Sequence, residues 1–384
     1  MVRWAGSILV FIFALGSLNR SSWAQQAGST VELKELAAPN SPAFMILDIS
    51  PALIESPATP KEFTFAAIQS FVDGQGWPQN FAVEFTPYWW IRPSGRDVYA
   101  FAGIDKNSPG KPNPFSGLKF SNFSIAFVNK DLVPDVIEKE QKILSVGFHS
   151  NVLRIQRPGY ALALNNEINR WHQKAQEELA IMQELMNQET DRVKQKKLQQ
   201  ELNNKTWPVS ADIASKINAL VNQKPVFSWN LAAAYSLYGL DDRRFETGRT
   251  GVWTTLASYL PLKKTAEDVS LSYLKLLVYS RYMHDGFMLE GSDIVKSSSM
   301  DLGSKIGLEF NKFSIGFEFV ERNYLKNALS SSRRSVGLIS YRVDNSLYIN
   351  GTFGRDFGPV KKIVSLFGIN WGFGDEKVNL PAPE

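Results

Sequence analysis

Cysteine is absent from all 384 residues, which excludes disulfides and a lipid-anchored N-terminal cysteine. Histidine is scarce too: His149, His172 and His284 are the three present, and they form neither a metal site nor a catalytic constellation. Beyond residue 24 no apolar run approaches the roughly 20 residues that a spanning helix requires. If the chain crosses a membrane, only a closed barrel can satisfy its backbone. A surplus of one charge sign is missing as well, with 42 Lys and Arg against 38 Asp and Glu. No basic cluster marks a nucleic-acid face.

What is present begins with an export signal. Arg3, the apolar stretch 8–15, and small Ser22 and Ala24 flanking Trp23 predict a secretory signal peptide cleaved after Ala24. Aromatic residues make up 12% of the chain, including 10 Trp and 25 Phe, as strand ends at a membrane interface demand. They fall in segments that alternate with a period of two. Over 80–92, Phe81, Val83, Phe85, Trp89 and Ile91 share one face; Ala82, Glu84, Thr86, Tyr88 and Trp90 share the other. Segments 226–238, 313–322 and 363–374 alternate equally well, and weaker matches fall at 118–128, 143–155, 252–260, 269–282, 302–310, 335–343 and 347–353.

The connections set direction. Asn311-Lys312 and Asp344-Asn345 read as tight hairpins, which belong on the periplasmic side of a bacterial barrel; longer connections at 283–301 and 323–334 then lie outside. The same count requires one more strand before Asn80, and the run AFMILDIS at 43–50 is the candidate. The expectation is an all-β, transmembrane antiparallel barrel of about 12 strands. A stretch without Gly or Pro after Tyr160 places apolar residues at Leu164, Ile168, Trp171, Ala175, Leu179, Met182, Leu185 and Met186, a helical stripe. It is expected to run unbroken to Trp207-Pro208 and to pair with a second helix over 210–222 as a periplasmic helical hairpin. The resulting organisation is a signal peptide at 1–24, an N-terminal periplasmic segment at 25–42, the first part of the barrel at 43–155, a coiled-coil-like helical insertion at 156–225, the second part of the barrel at 226–374 and a tail at 375–384.

Candidate chemistry is sparse. His149 precedes Ser150 and Asn151, but adjacent strand residues point to opposite faces and cannot form a nucleophile–base pair. No catalytic, cofactor-binding or metal-binding residues are assigned, and no enzyme or cofactor is expected. With apolar faces toward lipid, Glu84, His149, Lys275, Arg281, Lys305, Glu309, Glu318 and Arg322 become the candidate lumen-facing residues. They either pair across the barrel or line a pore. Small inward positions such as Gly303, Gly307 and Gly368 leave room for a channel or a plug. The segment 57–76 is a candidate for a short helix at the mouth.

The stretches AFMILDISPALIESP at 43–57 and NFAVEFTPYWW at 80–90, together with the strand pattern and the signal, resemble those of uncharacterised bacterial outer-membrane β-barrel proteins. That resemblance spans most of the mature chain and implies location and architecture. Two functions follow as expectations: a porin-like channel for small polar solutes, or a structural or assembly protein whose helical hairpin docks a periplasmic partner or a second copy. In either case the barrel's constant partner is outer-membrane lipid.

Overall fold

The computed structural model describes residues 30–32, 41–54, 63–70, 80–88, 97–105, 108–130, 140–203, 209–239, 245–262, 272–290, 293–310, 312–325, 330–344, 346–358, 363–373 and 377–380. The expected signal peptide lies outside them. In chain order the elements are β1 (Thr30–Glu32), α1 (Pro42–Met45), β2 (Phe63–Ser70), β3 (Asn80–Phe85), α2 (Val98–Ala102), β4 (Ile104–Asp105), β5 (Ser108–Pro112), β6 (Asn122–Lys130) and β7 (Gln141–Ile155). Three helices follow, α3 (Tyr160–Gln188), α4 (Arg192–Asn203) and α5 (Ala211–Val221). The second run of strands is β8 (Phe227–Gly239), β9 (Phe245–Pro261), β10 (Ser272–Glu290), β11 (Asp293–Phe310), β12 (Phe313–Tyr324), β13 (Ser332–Arg342), β14 (Leu347–Arg355), β15 (Ile363–Phe373) and β16 (Lys377–Asn379).

Twelve of these strands close into one barrel, in the order β2-β3-β6-β7-β8-β9-β10-β11-β12-β13-β14-β15, with β15 paired back to β2. Every neighbouring pair is antiparallel, as where Phe63 of β2 faces Phe373 of β15. Alternation in the sequence becomes inside and outside. On β10, Leu276, Val278 and Tyr282 face out, while Tyr273, Lys275, Tyr279 and Arg281 are buried within. The outer surface carries an apolar belt, including Val252, Leu256, Leu302, Ile306, Ile315, Phe317, Ile339 and Ile369. Phenylalanines stack across it, Phe65 on Phe81 and Phe63 on Phe85, with ring centroids 6.0 Å apart in both pairs. An apolar belt around a closed barrel is the surface that a membrane-spanning barrel presents to acyl chains. Among the described residues no helix is long and apolar enough to cross a membrane. The chain is a β-barrel of the outer-membrane kind.

One end of the barrel is capped. The strand ends of β7, β8, β3 and β6 lead there, and β1 pairs with β16 beside them. Leu164, Ile168 and Trp171 of α3 pack on Ile213, Ile217 and Val221 of α5, and on Val98, Tyr99, Phe101, Phe120 and Leu380. The expected 12-strand count and helical insertion are therefore present, with three differences. The helix does not run on to Trp207: it ends at Gln188, because Asp191 accepts the backbone N–H of Val193 at 2.8 Å and caps a new helix. The connection expected at 283–301 is strand, since β10 and β11 stay paired out to Glu290 and Asp293. Finally, the missing strand before Asn80 is β2, and 43–50 is not a strand at all.

Candidate functional site

Residues 41–54 lie inside the barrel. Pro42 starts the single turn α1, and Ala43, Phe44, Met45, Ile46 and Leu47 are each at most 1% exposed. This correction has a plain physical cause. A barrel strand needs one lipid face and one lumen face, but Ala43 to Leu47 is apolar on both sides, which suits a segment surrounded by protein. The mouth helix expected over 57–76 is corrected by the same exchange: Phe63, Phe65 and Ala67 of β2 face out while Thr64, Ala66 and Ile68 face in.

The inserted segment and the wall form one apolar core. Phe44, Met45, Ile46, Leu47, Ile49, Leu53 and Ile54 meet Tyr238, Trp253, Tyr259, Tyr273, Leu277, Tyr279, Met283 and Val320. Wall glycines make room. A methyl group added at Gly251 would stand 2.8 Å from Ile46 Cδ1, and one at Gly147 would stand 2.7 Å from the backbone nitrogen of Ala43. At Gly147, where the neighbour is backbone, only a residue without Cβ allows that approach. Beside the segment lies a cavity of about 40 Å³, lined by Pro51, Lys275, Lys305, Ser314 and Asn350 among others.

Because the segment belongs to no sheet, its backbone groups need side-chain partners. The wall supplies them. Glu318 accepts from the N–H of Leu53 at 3.1 Å and of Ile54 at 2.8 Å. Arg334 donates to the carbonyl of Pro51 at 2.9 Å and Thr352 to the same oxygen at 2.6 Å. Lys305 donates to the carbonyl of Ile54 at 3.1 Å, and Arg281 to that of Met45 at 2.8 Å. At the other end, the N–H of Ala43 donates to Ser124 Oγ at 3.2 Å.

Asp48 is the one charged side chain of the segment, and it meets three arginines. Oδ1 accepts from Arg281 Nη2 at 2.6 Å and Arg322 Nη2 at 3.1 Å; Oδ2 accepts from Arg322 Nη1 at 2.9 Å and Arg249 Nη1 at 3.0 Å. The wall contributes two carboxylates of its own. Asp301 accepts from Arg281 Nη2 at 2.7 Å and Arg322 Nε at 2.9 Å, and Asp285 accepts from Arg249 Nε at 2.7 Å. Phe357 lies flat under Arg322, 3.8 Å from its guanidinium carbon. Asp48 has φ of 56°, the left-handed region, where Asp is among the few side chains tolerated.

All eight candidate lumen residues point inward, in different surroundings. Arg281 and Arg322 belong to the Asp48 cluster, whereas Glu318 and Lys305 hold the end of the inserted segment. Glu309 is buried between Lys275 at 2.8 Å and Lys224 at 3.9 Å. Glu84 lies beside Asn122 and His149 beside Asn230, both buried, and Ser150 is engaged with Ser121 Oγ at 2.8 Å. Sequence reading missed Asp48, Arg249, Asp301, Arg334 and Asp356. For the wall residues the signal was available, since Arg249, Asp301 and Arg334 sit at inward positions of β9, β11 and β13; for Asp48 it was hidden by the misassigned strand.

No family model matches the chain, and no curated protein does. Solved structures to which it is similar include the NanC porin, with 7% identity and a TM-score of 0.32 over 81% of this chain and 98% of that one. Another is the Acinetobacter baumannii outer membrane protein Omp33, with 9% identity and a TM-score of 0.29 over 82% of this chain and 98% of that one.

Proposed function

We propose that the protein is an outer-membrane channel of the porin kind for small polar solutes, exported through its N-terminal signal and held shut at rest by residues 41–54. The observation that carries this reading is the chemistry of the wall around the inserted segment. Holding the segment's backbone accounts for Glu318, Arg334 and one bond of Arg281, but not for the ion-paired Arg322, Asp301 and Asp285, where a permanent plug would be served as well by apolar residues, because replacing buried ion pairs by packed hydrophobic groups is often neutral or stabilising. This wall instead keeps Arg249, Arg281, Arg322, Arg334, Asp301 and Glu318 facing inward, groups suited to polar solutes once the segment withdraws. The segment is a separate piece of chain that contributes no strand to the barrel, so its departure leaves the ladder whole.

Planar-bilayer recording tests this. The natural chain is expected to be closed for most of the time, and a chain in which residues 41–54 are replaced by a Gly/Ser linker of equal length is expected to conduct. Folding of the replaced chain is verified by its retarded gel mobility before boiling. A folded, linker-bearing chain that carries no current refutes the channel reading. A second reading rests on Ile181, Leu185 and Val193, apolar and exposed where α3 and α4 meet: the barrel then anchors a hairpin that binds a periplasmic partner or a second copy. Deleting 181–203 without loss of co-purifying proteins or of oligomeric state removes that basis.

A further inference from the structure

Resting on the channel reading, the geometry points to the Arg249, Arg281 and Arg322 cluster as a carboxylate-recognition site of the open pore, with Asp48 as its resident stand-in. The wall alone brings three guanidinium groups and two carboxylates, Asp285 and Asp301, to this level of the lumen. The third negative charge comes from the inserted segment. When that segment leaves, the wall is one anion short at a place shaped for one.

The shape is specific. Both oxygens of Asp48 accept two bonds each, and Arg322 grips them as a fork through Nη1 and Nη2 at 2.9 and 3.1 Å, the arrangement that matches planar oxyanions. Arg322 is itself held in place by Asp301 and by the ring of Phe357, so the fork remains oriented after Asp48 departs. One buried hydroxyl, that of Tyr279, stands by without a hydrogen-bond partner among the described residues. It lies within electrostatic reach of Asp48, Arg281 and Arg322, so the site offers a polar contact that Asp48 does not use. Elsewhere in the lumen the balance differs: Arg334 is shared between Glu318 and Asp356, which leaves no cationic surplus at that cluster. A second cationic stretch lies where Lys275 and Lys224 flank the single Glu309, but its ammonium groups are point charges without a fork, so a small organic carboxylate is gripped at the three-arginine level, where it competes directly with Asp48.

The test uses full-length chains in planar bilayers with succinate, each end of which copies the Asp48 side chain, and inorganic phosphate as a second probe. Asp48→Asn is expected to open more often than the natural chain, to prefer chloride over sodium in its reversal potential, and to be blocked by millimolar succinate. Adding Arg322→Gln to that variant is expected to weaken the block at least tenfold and to lower the anion preference. An open channel that prefers cations, ignores succinate, or is blocked equally well without Arg322 overturns the proposal; stronger block by phosphate than by succinate overturns the assignment to carboxylates. If Asp48→Asn stays shut, the same pair of measurements on the linker-bearing chain decides in the same way. A linker-bearing chain with no current refutes the channel, whereas one that conducts without Arg322-dependent block refutes only the carboxylate site.

Discussion

Glu318 offers the sharpest measure of how firmly the inserted segment is held. Its carboxylate accepts the N–H of Leu53 and of Ile54 and one bond from Arg334 Nε at 3.3 Å. Glu318→Ala leaves both backbone donors buried and unmatched. Hydrogen bonds to a charged acceptor contribute about 1.5–3 kcal/mol each, so the two together come to about 3–6 kcal/mol. Arg334 adds little to that figure, because Asp356 at 2.9 Å and the Pro51 carbonyl at 2.9 Å still hold it. Taking the lower end, the segment is released roughly a hundredfold more often. The chain has no cysteine of its own, so Ser50→Cys, buried at 1% exposure, reports release by its rate of maleimide labelling in detergent. Glu318→Gln retains one acceptor oxygen and is expected to give roughly a tenfold rise. Glu321→Ala, on the same strand but paired with the exposed Arg333, is the control and changes labelling by under about 0.5 kcal/mol. Labelling of the Glu318→Ala chain within threefold of its parent refutes the claim that these bonds hold the segment.

Further outcomes follow from the same reasoning. Gly251→Leu, which drives a side chain into Ile46 and toward the carbonyl of Tyr282 at 3.0 Å, is expected to raise Ser50→Cys labelling, while Gly351→Ala, with open space around it, leaves it unchanged. Trp171→Ala, which empties the cap beneath α3, costs about 3–5 kcal/mol; calorimetry is expected to show an earlier local transition of the cap with the barrel transition in place. At Asp212 the hydroxyl of Ser210, the N–H of Ile213 and the cations Lys174 and Arg170 hold the carboxyl below its ordinary value. A depressed folded pKa means these contacts stabilise α5 above the unfolded carboxylate value of about 4 and are lost as pH falls through the folded one. Ser210→Ala is expected to move the Asp212 titration upward when followed by NMR.

How far the chain could be read in advance depended on where each face was buried. Leu276 and Val278 alternate with Leu277 and Tyr279 because one side of β10 meets acyl chains and the other the interior, and a period of two survives in any such strand. The stripe of α3 was legible for the same reason, but only its first half is buried. Beyond Ala175 the spacing persists but the burial does not, and Ile181 and Leu185 stay exposed. Periodicity records which residues could be covered and says nothing about what covers them. The lumen charges were legible as inward residues for a similar reason, yet Arg281 reaches Met45 from 236 positions away and Arg334 reaches Pro51 from 283; nothing local in the sequence encodes such contacts.

The exchange between 43–50 and β2 shows what strict use of the period can do. Ala43, Phe44, Met45, Ile46 and Leu47 present apolar groups on both sides, whereas Phe63, Thr64, Phe65 and Ala66 alternate large and small. A segment apolar all round belongs where protein surrounds it on every side, and inside a barrel the only such place is the lumen. An occupied lumen in turn requires wall residues that leave space and others that bind backbone. Gly147, Gly251 and Gly303 meet the first need, and Glu318, Arg334 and Thr352 meet the second. The inward glycines and the inward charges, which separately fit either an open pore or paired wall residues, together specify an internal segment, because a water-filled pore has no use for wall positions where an added methyl group would stand 2.8 Å from the next atom inward.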